Sequence, residues 1–200
     1  MSVISPFVAA FERYCAGNRA LFHLYSLPYR ALVARELSLA GTLPTHTIMH
    51  VGCGSLPFTA VLAARLSGAK VIGVDCDPDA VRNAQRIVGR LGLSGSGPGT
   101  IDIIHADAAC DLLPDAGVIL VALQAGPKDA IYENIARSMD TAHAIFRLPR
   151  AGLEGEYGTL HAPRIADGVC RHAMPTFDRS VLYSLQPGYA PVRTARGRVA

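Results

Sequence analysis

The chain has 200 residues, 50% of them hydrophobic, and a formal net charge of +3 at neutral pH. A chain of this length can bury one sizeable core, so we expect one ordinary domain. The weak, dispersed charge argues against nucleic-acid binding, and no apolar run reaches the roughly 18 residues of a membrane span. The best candidate, residues 116–126, is typical of a buried strand.

The cysteines and the first residues indicate the compartment. The five cysteines form no Cys-x-x-Cys pair, so neither a zinc site nor a disulfide framework is indicated. The N-terminus lacks the basic-then-apolar order of a secretory signal. We therefore expect a reduced, cytoplasmic protein that holds no metal and binds neither nucleic acid nor a membrane.

The chain before residue 46 is predicted to be a helical lid, residues 1–45. Two helical segments are expected there, 7–15 and 29–40, on either side of Pro28. Such a short prefix leaves room for a second copy to close the pocket, so a homodimer is plausible.

From residue 46 the chain alternates between apolar runs and helical periods, which predicts a domain over residues 46–190. Continuous Val/Ile/Leu strands separated by helices imply a parallel sheet covered on both faces. The predicted fold is therefore a doubly wound, Rossmann-like α/β sheet, with its ligand beyond the carboxyl ends of the strands. The strands are predicted at 47–51, 70–75, 101–107, 117–123 and 142–148, and the helices at 57–66, 78–92 and 128–139.

Three further segments complete the expected layout. Residues 92–99 form a Gly/Ser-rich surface loop, and residues 168–186 suggest a terminal β-hairpin with 180–185 as its clearest strand. Residues 191–200 are predicted to be a flexible basic tail. A helical prefix and an antiparallel finish around such a sheet are the layout of S-adenosylmethionine (SAM)-dependent transferases.

The segment IMHVGCGSLPFTAVLAA, residues 48–64, is the predicted ligand loop. Gly52 and Gly54 let the backbone approach a ligand closely, although they may also serve only a tight turn. A dinucleotide loop would carry a third glycine, which brings its helix close to a diphosphate. Leu56 and Pro57 stand there instead, which favours SAM, a smaller ligand without phosphates, over NAD.

Carboxylates at the ends of the next two strands support a nucleoside site. Asp75 lies 23 residues after Gly52, close to the spacing of a carboxylate that binds ribose hydroxyls, and this disfavours NADP. Asp107, after strand three, is placed to accept a bond from an adenine amino group. Either acid may instead cap the helix that follows. Asp77, beside Pro78, is more typical of such a cap.

Other residues of these strand ends are predicted to line the cofactor. His50 occupies a position where many SAM-binding strands carry an acid for the amino group of the ligand, although a structural histidine is at least as common there. Cys53 and Cys76 may line the pocket or be small buried residues. The full predicted set is His50, Gly52, Cys53, Gly54, Pro57, Asp75, Cys76, Asp107, Ala108 and Leu123.

The segment HVGCGSLPFTAVLAA resembles the SAM loop of nicotianamine synthases and their bacterial relatives that make opine metallophores. In that family Gly-x-Gly is likewise followed by Leu-Pro and threonine. Residues 73–88, 119–126, 145–158 and 180–183 are also similar, as is 27–36 more loosely, so the resemblance spans about residues 22–186. It implies a class I SAM-dependent fold, SAM as donor, and a place in metallophore biosynthesis.

The chain departs from that family in two places. The family has a much longer N-terminal helical domain that helps to enclose the acceptor and supplies a catalytic acid. The histidine-glycine that follows the family's strand-five arginine is replaced here by residues 149–152, PRAG. The resemblance therefore implies the cofactor more firmly than the acceptor or the base.

The family transfers the 3-amino-3-carboxypropyl group of SAM to an amine or amino acid, and this is the leading expectation here. The nucleophilic amine must be neutral, so a nearby acid or phenol is expected to take its proton. Tyr29 and Glu36 of the lid and Tyr157 and Arg147 of the opposite rim are the candidate catalytic residues. Tyr157 and Arg147 match the spacing of a family tyrosine and arginine, and Arg147 may clamp a carboxylate. The alternatives are that Glu36 is a solvated helix residue and that the two tyrosines are packing aromatics.

Three alternatives remain open from the sequence. The first is transfer of the methyl group of SAM to a small molecule, because a shorter acceptor region can present a different carbon. The second is cyclisation of SAM on its own amino group, which a small acceptor space would suit. The third is SAM binding without catalysis, as a partner subunit or sensor.

Overall fold

The computed structural model describes residues 19–162 and 164–186, with side chains from residue 29 onwards. Helices and strands alternate in it as the sequence predicts. The helices are α1 Arg19–Leu39, α2 Phe58–Ser67, α3 Pro78–Arg90, α4 Lys128–Ser138 and α5 Glu154–Tyr157. The strands are β1 Thr47–Val51, β2 Lys70–Asp75, β3 Ile101–His105, β4 Val118–Val121, β5 Ala142–Pro149, β6 Gly168–Arg171 and β7 Phe177–Leu185.

The strands form a seven-stranded sheet in the order β3-β2-β1-β4-β5-β7-β6. The first five strands in this order run parallel, and β7 pairs antiparallel with both β5 and β6. The order reverses between β1 and β4, which is the switch point where ligands of such sheets bind. The predicted doubly wound α/β fold and the terminal hairpin are both confirmed.

The core lies on both faces of the sheet, because its central strands are apolar along their whole length. On one face, α1, α2 and α3 bury residues such as Leu32, Val61 and Val88 against Ile48 of β1. On the other face, α4 buries Ile131, Tyr132 and Ile135 against the sheet. Each fully buried aliphatic side chain stabilises the fold by about 1.5–3 kcal/mol.

Helix α1 corrects one prediction. It passes through Pro28 as one helix from Arg19 to Leu39, whereas the sequence predicts a helix that begins after the proline. A proline inside a helix costs about 3 kcal/mol, but the next turns bury Leu32, Val33 and Leu37 in the core, and this packing offsets the cost. The predicted helix at 7–15 and the tail at 191–200 lie outside the described residues.

The ends of α2 and α3 follow local rules. Helix α2 begins at Phe58, one residue later than predicted, and Pro57 is its N-cap. Helix α3 begins with Pro78, and the Asp77 side chain accepts a hydrogen bond from the backbone N–H of Asp79 at 2.8 Å. The prediction that Asp77 is a cap is therefore confirmed.

Two strands are shorter than predicted, which changes where their following residues lie. Strand β3 ends at His105 and β4 at Val121, each two residues earlier than the sequence suggests. Asp107 and Leu123 therefore belong to the turns beyond the strands. No helix in the described part of the chain is long and apolar enough to span a bilayer.

Candidate functional site

The glycine loop joins β1 to α2 at the switch point. Gly52 and Gly54 have φ of +74° and +65°, a region that only glycine enters without strain. A Cβ on Gly52 would lie 2.9 Å from the Cβ of Ala125, so the loop is packed closely against the segment after β4. A Cβ on Gly54 would meet nothing within 4 Å. The backbone at Gly54 is therefore open to a ligand, while Gly52 serves close packing.

Asp75 ends β2 and is tied to the glycine loop. Its Oδ2 accepts a hydrogen bond from the backbone N–H of Gly54 at 2.7 Å, and its Oδ1 accepts one from Asp77 at 3.0 Å. A carboxylate offers about four acceptor sites, so two bonds to ribose hydroxyls remain possible. The helix cap is Asp77, so the alternative that Asp75 only caps α3 is wrong.

Asp107 lies in an exposed turn beyond β3. Its Oδ1 accepts a hydrogen bond from the backbone N–H of Ala109 at 2.9 Å, and its own N–H donates to Asp111 at 2.8 Å. These bonds fix the turn that carries Asp107. Its role with adenine stays a prediction.

The remaining predicted lining residues differ in exposure. Cys76 is exposed, whereas Cys53, Ala108 and Leu123 are buried. Burial, with Asp75 as the second cause, raises the pKa of Cys53 to about 12, so its thiol stays protonated. Cys53 therefore fits the small buried role that the sequence left open.

His50 is a buried polar residue without a partner. It is 3% exposed, and neither ring nitrogen has a hydrogen-bond partner among the described residues. Its register partners, Gly73 on β2 and Leu120 on β4, offer no side-chain donor or acceptor. Burial and the nearby Arg147 charge lower the pKa of His50 to about 3, so the imidazole is neutral. A neutral imidazole offers one donor and one acceptor to a ligand.

Glu36 and Arg147 form a buried ion pair. The Arg147 Nε–H donates to Glu36 Oε1 at 2.9 Å, and Nη2 donates to Oε2 at 2.8 Å. Glu36 is fully buried, so the alternative that it is a solvated helix residue is wrong. Burial disfavours the charged guanidinium, but the charge and hydrogen bonds of Glu36 outweigh it, and the pKa of Arg147 lies above its ordinary value. The arginine that was expected to clamp a ligand carboxylate holds Glu36 here.

Three residues that the sequence did not single out surround this pair. Arg147 Nη1 donates to Thr59 Oγ1 of α2 at 3.1 Å, and the Ser180 hydroxyl donates to Glu36 Oε1 at 2.7 Å. His172 Nε2 lies 2.8 Å from Ser180 Oγ. The available signals were weak: Thr59 and Ser180 lie inside the motifs that carry the resemblance, but nothing in the sequence places them beside Glu36.

The two candidate tyrosines lie near the same face. Tyr29 stacks on Phe58 of α2, with ring centroids 6.5 Å apart. Tyr157 is partly buried, and burial, followed by its contact with Glu156, raises its pKa. Tyr157 is therefore a phenol at neutral pH, suited to donate a hydrogen bond rather than to take a proton.

Lys128 is a further residue that sequence reasoning missed. Its ammonium donates to the backbone carbonyls of Leu123 at 2.6 Å, Ala125 at 3.1 Å and Tyr157 at 2.6 Å. It is 2% exposed, and burial lowers its pKa to about 8. Lys128 thus ties the segment after β4, which packs against Gly52, to the helix that carries Tyr157.

Metal chemistry has no obvious ligands in the described residues. No group of three or more His, Cys, Asp or Glu side chains lies close enough together there to hold an ion. The site instead combines a glycine loop, strand-end carboxylates and a buried polar cluster. Such a site can bind a polar ligand and orient a reacting group through hydrogen bonds.

The strand order is that of a Rossmann-like sheet of the class I SAM-dependent methyltransferase type, so the class that it defines is a class of fold. In fold the chain is similar to a variant of the nicotianamine synthase MtNAS in complex with S-adenosylmethionine, with a TM-score of 0.73 and 22% identity over 88% of this chain and 70% of that chain. For MtNAS with MTA and tNA the TM-score is 0.70 and the identity 20%, over 88% of this chain and 68% of that chain. For magnesium protoporphyrin IX methyltransferase (ChlM) from Synechocystis PCC 6803 with bound SAM, the TM-score is 0.60 and the identity 18%, over 81% of this chain and 79% of that chain.

Sequence comparison alone assigns no family. No family model matches the chain. A stretch of 77 residues is 36% identical to uroporphyrinogen decarboxylase from Xanthomonas oryzae pv. oryzae, over 38% of this chain and 21% of that enzyme. The chain thus spans about a fifth of the enzyme it matches. That share is too small to carry the enzyme's activity over.

Proposed function

We propose that the chain is a SAM-dependent transferase that moves the 3-amino-3-carboxypropyl group of SAM to a small amine or amino acid. The observation that carries this proposal is the likeness to MtNAS with SAM over 88% of the chain. The MtNAS structure with MTA and tNA supports the γ-carbon reaction, because methylthioadenosine is what remains of SAM after that transfer.

The residues fit SAM at the carboxyl edge of the sheet. Gly54 leaves open space beside its backbone, and Asp75 keeps acceptor capacity for the ribose hydroxyls. The unpartnered imidazole of His50 is a polar contact for the amino-acid end of the ligand. Asp107 is proposed to receive the adenine amino group, with Cys53, Pro57, Cys76, Ala108 and Leu123 as lining.

SAM supplies a sulfonium whose methyl carbon and γ-carbon are open to a nucleophile. The chain has to place an amine in line with one of these carbons and take its proton, and positioning of this kind contributes much of the rate. We assign the proton to Glu36, whose Oε2 receives one hydrogen bond from the described residues, that of Arg147. Tyr29 and Tyr157 are proposed to line the acceptor side, within a lid to which α1 belongs.

The products of a reaction with SAM and candidate amines test this proposal. Aminocarboxypropyl transfer yields methylthioadenosine, detected by chromatography, and an acceptor heavier by that group. S-adenosylhomocysteine with a methylated acceptor would instead establish methyl transfer. Methylthioadenosine without a modified acceptor, together with a cyclised amino acid, would point to reaction of SAM with itself. Absence of SAM binding in calorimetry would refute the proposal as a whole.

Methyl transfer is the second candidate, and it has its own support. ChlM is similar over 81% of this chain and is a methyltransferase with bound SAM. In addition, both carboxylate oxygens of Glu36 already face Arg147, so the base is less free than an unpaired acid. A methyl acceptor that needs no proton removal would suit that arrangement.

Asp75→Asn tests the ribose assignment. The amide keeps an oxygen for the Gly54 N–H but loses the charge, so we expect SAM affinity to fall at least tenfold in calorimetry. Asp77→Ala is the matched control, since it removes the neighbouring carboxylate and the cap of α3. It should lower stability by about 1 kcal/mol and leave SAM affinity within twofold. Equal affinity in wild type and Asp75→Asn would overturn the assignment.

A further inference from the structure

A row of polar side chains extends from Arg147 toward the edge of the sheet. Arg147 on β5 is the register partner of Ser180 on β7, and Ser180 is the partner of Cys170 on β6. Partners on neighbouring strands point to the same face of a sheet. Glu36 of α1 covers this face, and His172, two residues after Cys170, reaches the same row.

The hydrogen bonds of this row have only one consistent direction. A carboxylate only accepts, so the single proton of the Ser180 hydroxyl points to Glu36 Oε1 at 2.7 Å. Ser180 Oγ must then accept in its 2.8 Å contact with His172, and the proton of the neutral imidazole must lie on Nε2. The order of donation is therefore His172 to Ser180 to Glu36.

This order makes the two oxygens of Glu36 unequal. Among the described residues, Oε1 receives bonds from Arg147 Nε and from Ser180, whereas Oε2 receives one bond, from Arg147 Nη2. Ser180 is fully buried and His172 is 7% exposed, so water does not compete for the hydrogen bond between these two side chains. The carboxylate is held through Oε1, and Oε2 keeps the larger remaining acceptor capacity.

We propose that Ser180 and His172 are positioning residues that orient Glu36 so that Oε2 takes the proton of the acceptor amine. This inference rests on the proposed function. In the step, the acceptor ammonium gives one proton to Oε2, its freed lone pair forms the nitrogen–carbon bond, and the carbon–sulfur electron pair leaves with sulfur. The proton on Glu36 passes to water when the product leaves, so atoms and charge balance.

Two matched pairs of variants test the inference. Ser180→Ala removes the hydroxyl and Ser180→Thr keeps it, while His172→Phe removes the ring nitrogen and His172→Gln keeps an N–H donor. Initial rates of product formation from SAM and the best acceptor are measured from pH 5 to pH 9 at saturating SAM. Calorimetry gives the SAM affinity of each variant, and thermal unfolding identifies any that fail to fold.

We expect Ser180→Ala and His172→Phe to lower kcat about tenfold with SAM affinity within twofold of wild type. Ser180→Thr and His172→Gln should recover most of the rate. Wild-type rates in folded Ser180→Ala and His172→Phe would overturn the positioning role.

If Ser180→Ala or His172→Phe fails to fold, the other of these variants and the two conservative variants test the positioning role. His172→Gln and Ser180→Thr that fold but recover no rate would also count against positioning by hydrogen bonds. A wild-type protein that makes no product from SAM would refute both the proposed function and this inference. An active wild-type protein together with folded variants of unchanged rate would refute the inference alone.

Discussion

His50 is the residue whose surroundings most clearly call for a ligand. A buried polar group without a hydrogen bond costs about 1–3 kcal/mol, and native proteins retain such groups where they serve a purpose. Its position two residues before Gly52 brings it to the glycine loop. A bound ligand would supply the missing hydrogen bond.

We expect His50→Phe to weaken binding of S-adenosylhomocysteine about tenfold. Methylthioadenosine lacks the amino-acid end, so its affinity should change less than twofold. Calorimetry with both ligands measures the difference. The exposed His161 provides a control, since His161→Phe should change neither affinity. A parallel loss for both ligands in His50→Phe would place the imidazole elsewhere.

Substitution of either residue of the Glu36–Arg147 pair should lower the free energy of unfolding strongly. Removal of one partner from a buried ion pair leaves an uncompensated charge and costs about 3–5 kcal/mol. We therefore expect Glu36→Gln to lower the free energy of unfolding by that amount in urea titrations. The exposed pair of Arg82 and Asp79 is the contrast: Arg82→Gln should cost less than about 1 kcal/mol. Equal losses for Glu36→Gln and Arg82→Gln would contradict the buried assignment.

At the scale of elements, Lys128 connects the start of α4 to α5 and to the segment after β4. Its three donors are all used by carbonyls, and no described carboxylate neutralises its charge. Loss of this connection should loosen the short helix that ends at Tyr157. Lys128→Met is thus expected to lower transferase activity more than SAM affinity.

The charge of Lys128 also affects stability as the pH changes. Its pKa is about 8 in the folded chain, below the 10.5 of an ordinary lysine. Between these values the unfolded chain binds more protons, so this lysine makes the free energy of unfolding rise with pH; its burial penalty is fully present below pH 8. Buried thiols such as Cys53 act in the opposite direction at high pH. The difference between wild type and Lys128→Met isolates the lysine.

NMR of ¹⁵N-lysine-labelled protein measures this directly, because the sequence holds only two lysines, Lys70 and Lys128. One resonance should titrate near pH 8. Lys128→Met should remove that resonance and leave the other. A wild type in which both lysines titrate near 10.5 would remove the basis for the stability change.

The elements were largely predictable from the sequence, and the exceptions have physical causes. Strands β1 and β2 match the prediction because continuous apolar residues form strands wherever both faces are covered. The continuation of α1 through Pro28 was not predictable, because the packing that offsets the proline comes from other elements. The ends of β3 and β4 were predicted two residues too late, because each strand ends where its pairing with a neighbouring strand ends, and the strand's own sequence does not show that point.

The candidate site was predictable where it is local in sequence. Gly52 and Gly54 follow β1 and Asp75 ends β2, two strands that the pattern identifies, and a hydrogen bond joins Gly54 to Asp75. Glu36 and Arg147 are 111 residues apart, and Ser180 is 144 residues from Glu36. Only the pairing of β5 with β7 and the docking of α1 bring them together, and the sequence fixes neither distance nor direction.

For the whole molecule, α1 and the sheet behave as one unit in the structure. Leu32, Val33 and Leu37 of α1 belong to the same buried cluster as the strands. We expect a chain that begins at residue 46 to lose cooperative unfolding, measured by circular dichroism in urea. A chain that begins at residue 19 keeps α1 and serves as the control. Cooperative unfolding of the shorter chain would show that α1 is dispensable for folding.

The buried ion pair between Glu36 of α1 and Arg147 limits how far the N-terminal part of this fold can be shortened in evolution. Without α1, the guanidinium of Arg147 would lie against an apolar surface with no opposite charge beside it. Loss of N-terminal residues is therefore tolerable only as far as the helix that carries the acid. A deletion that removes this helix would require the arginine to be replaced in the same evolutionary step.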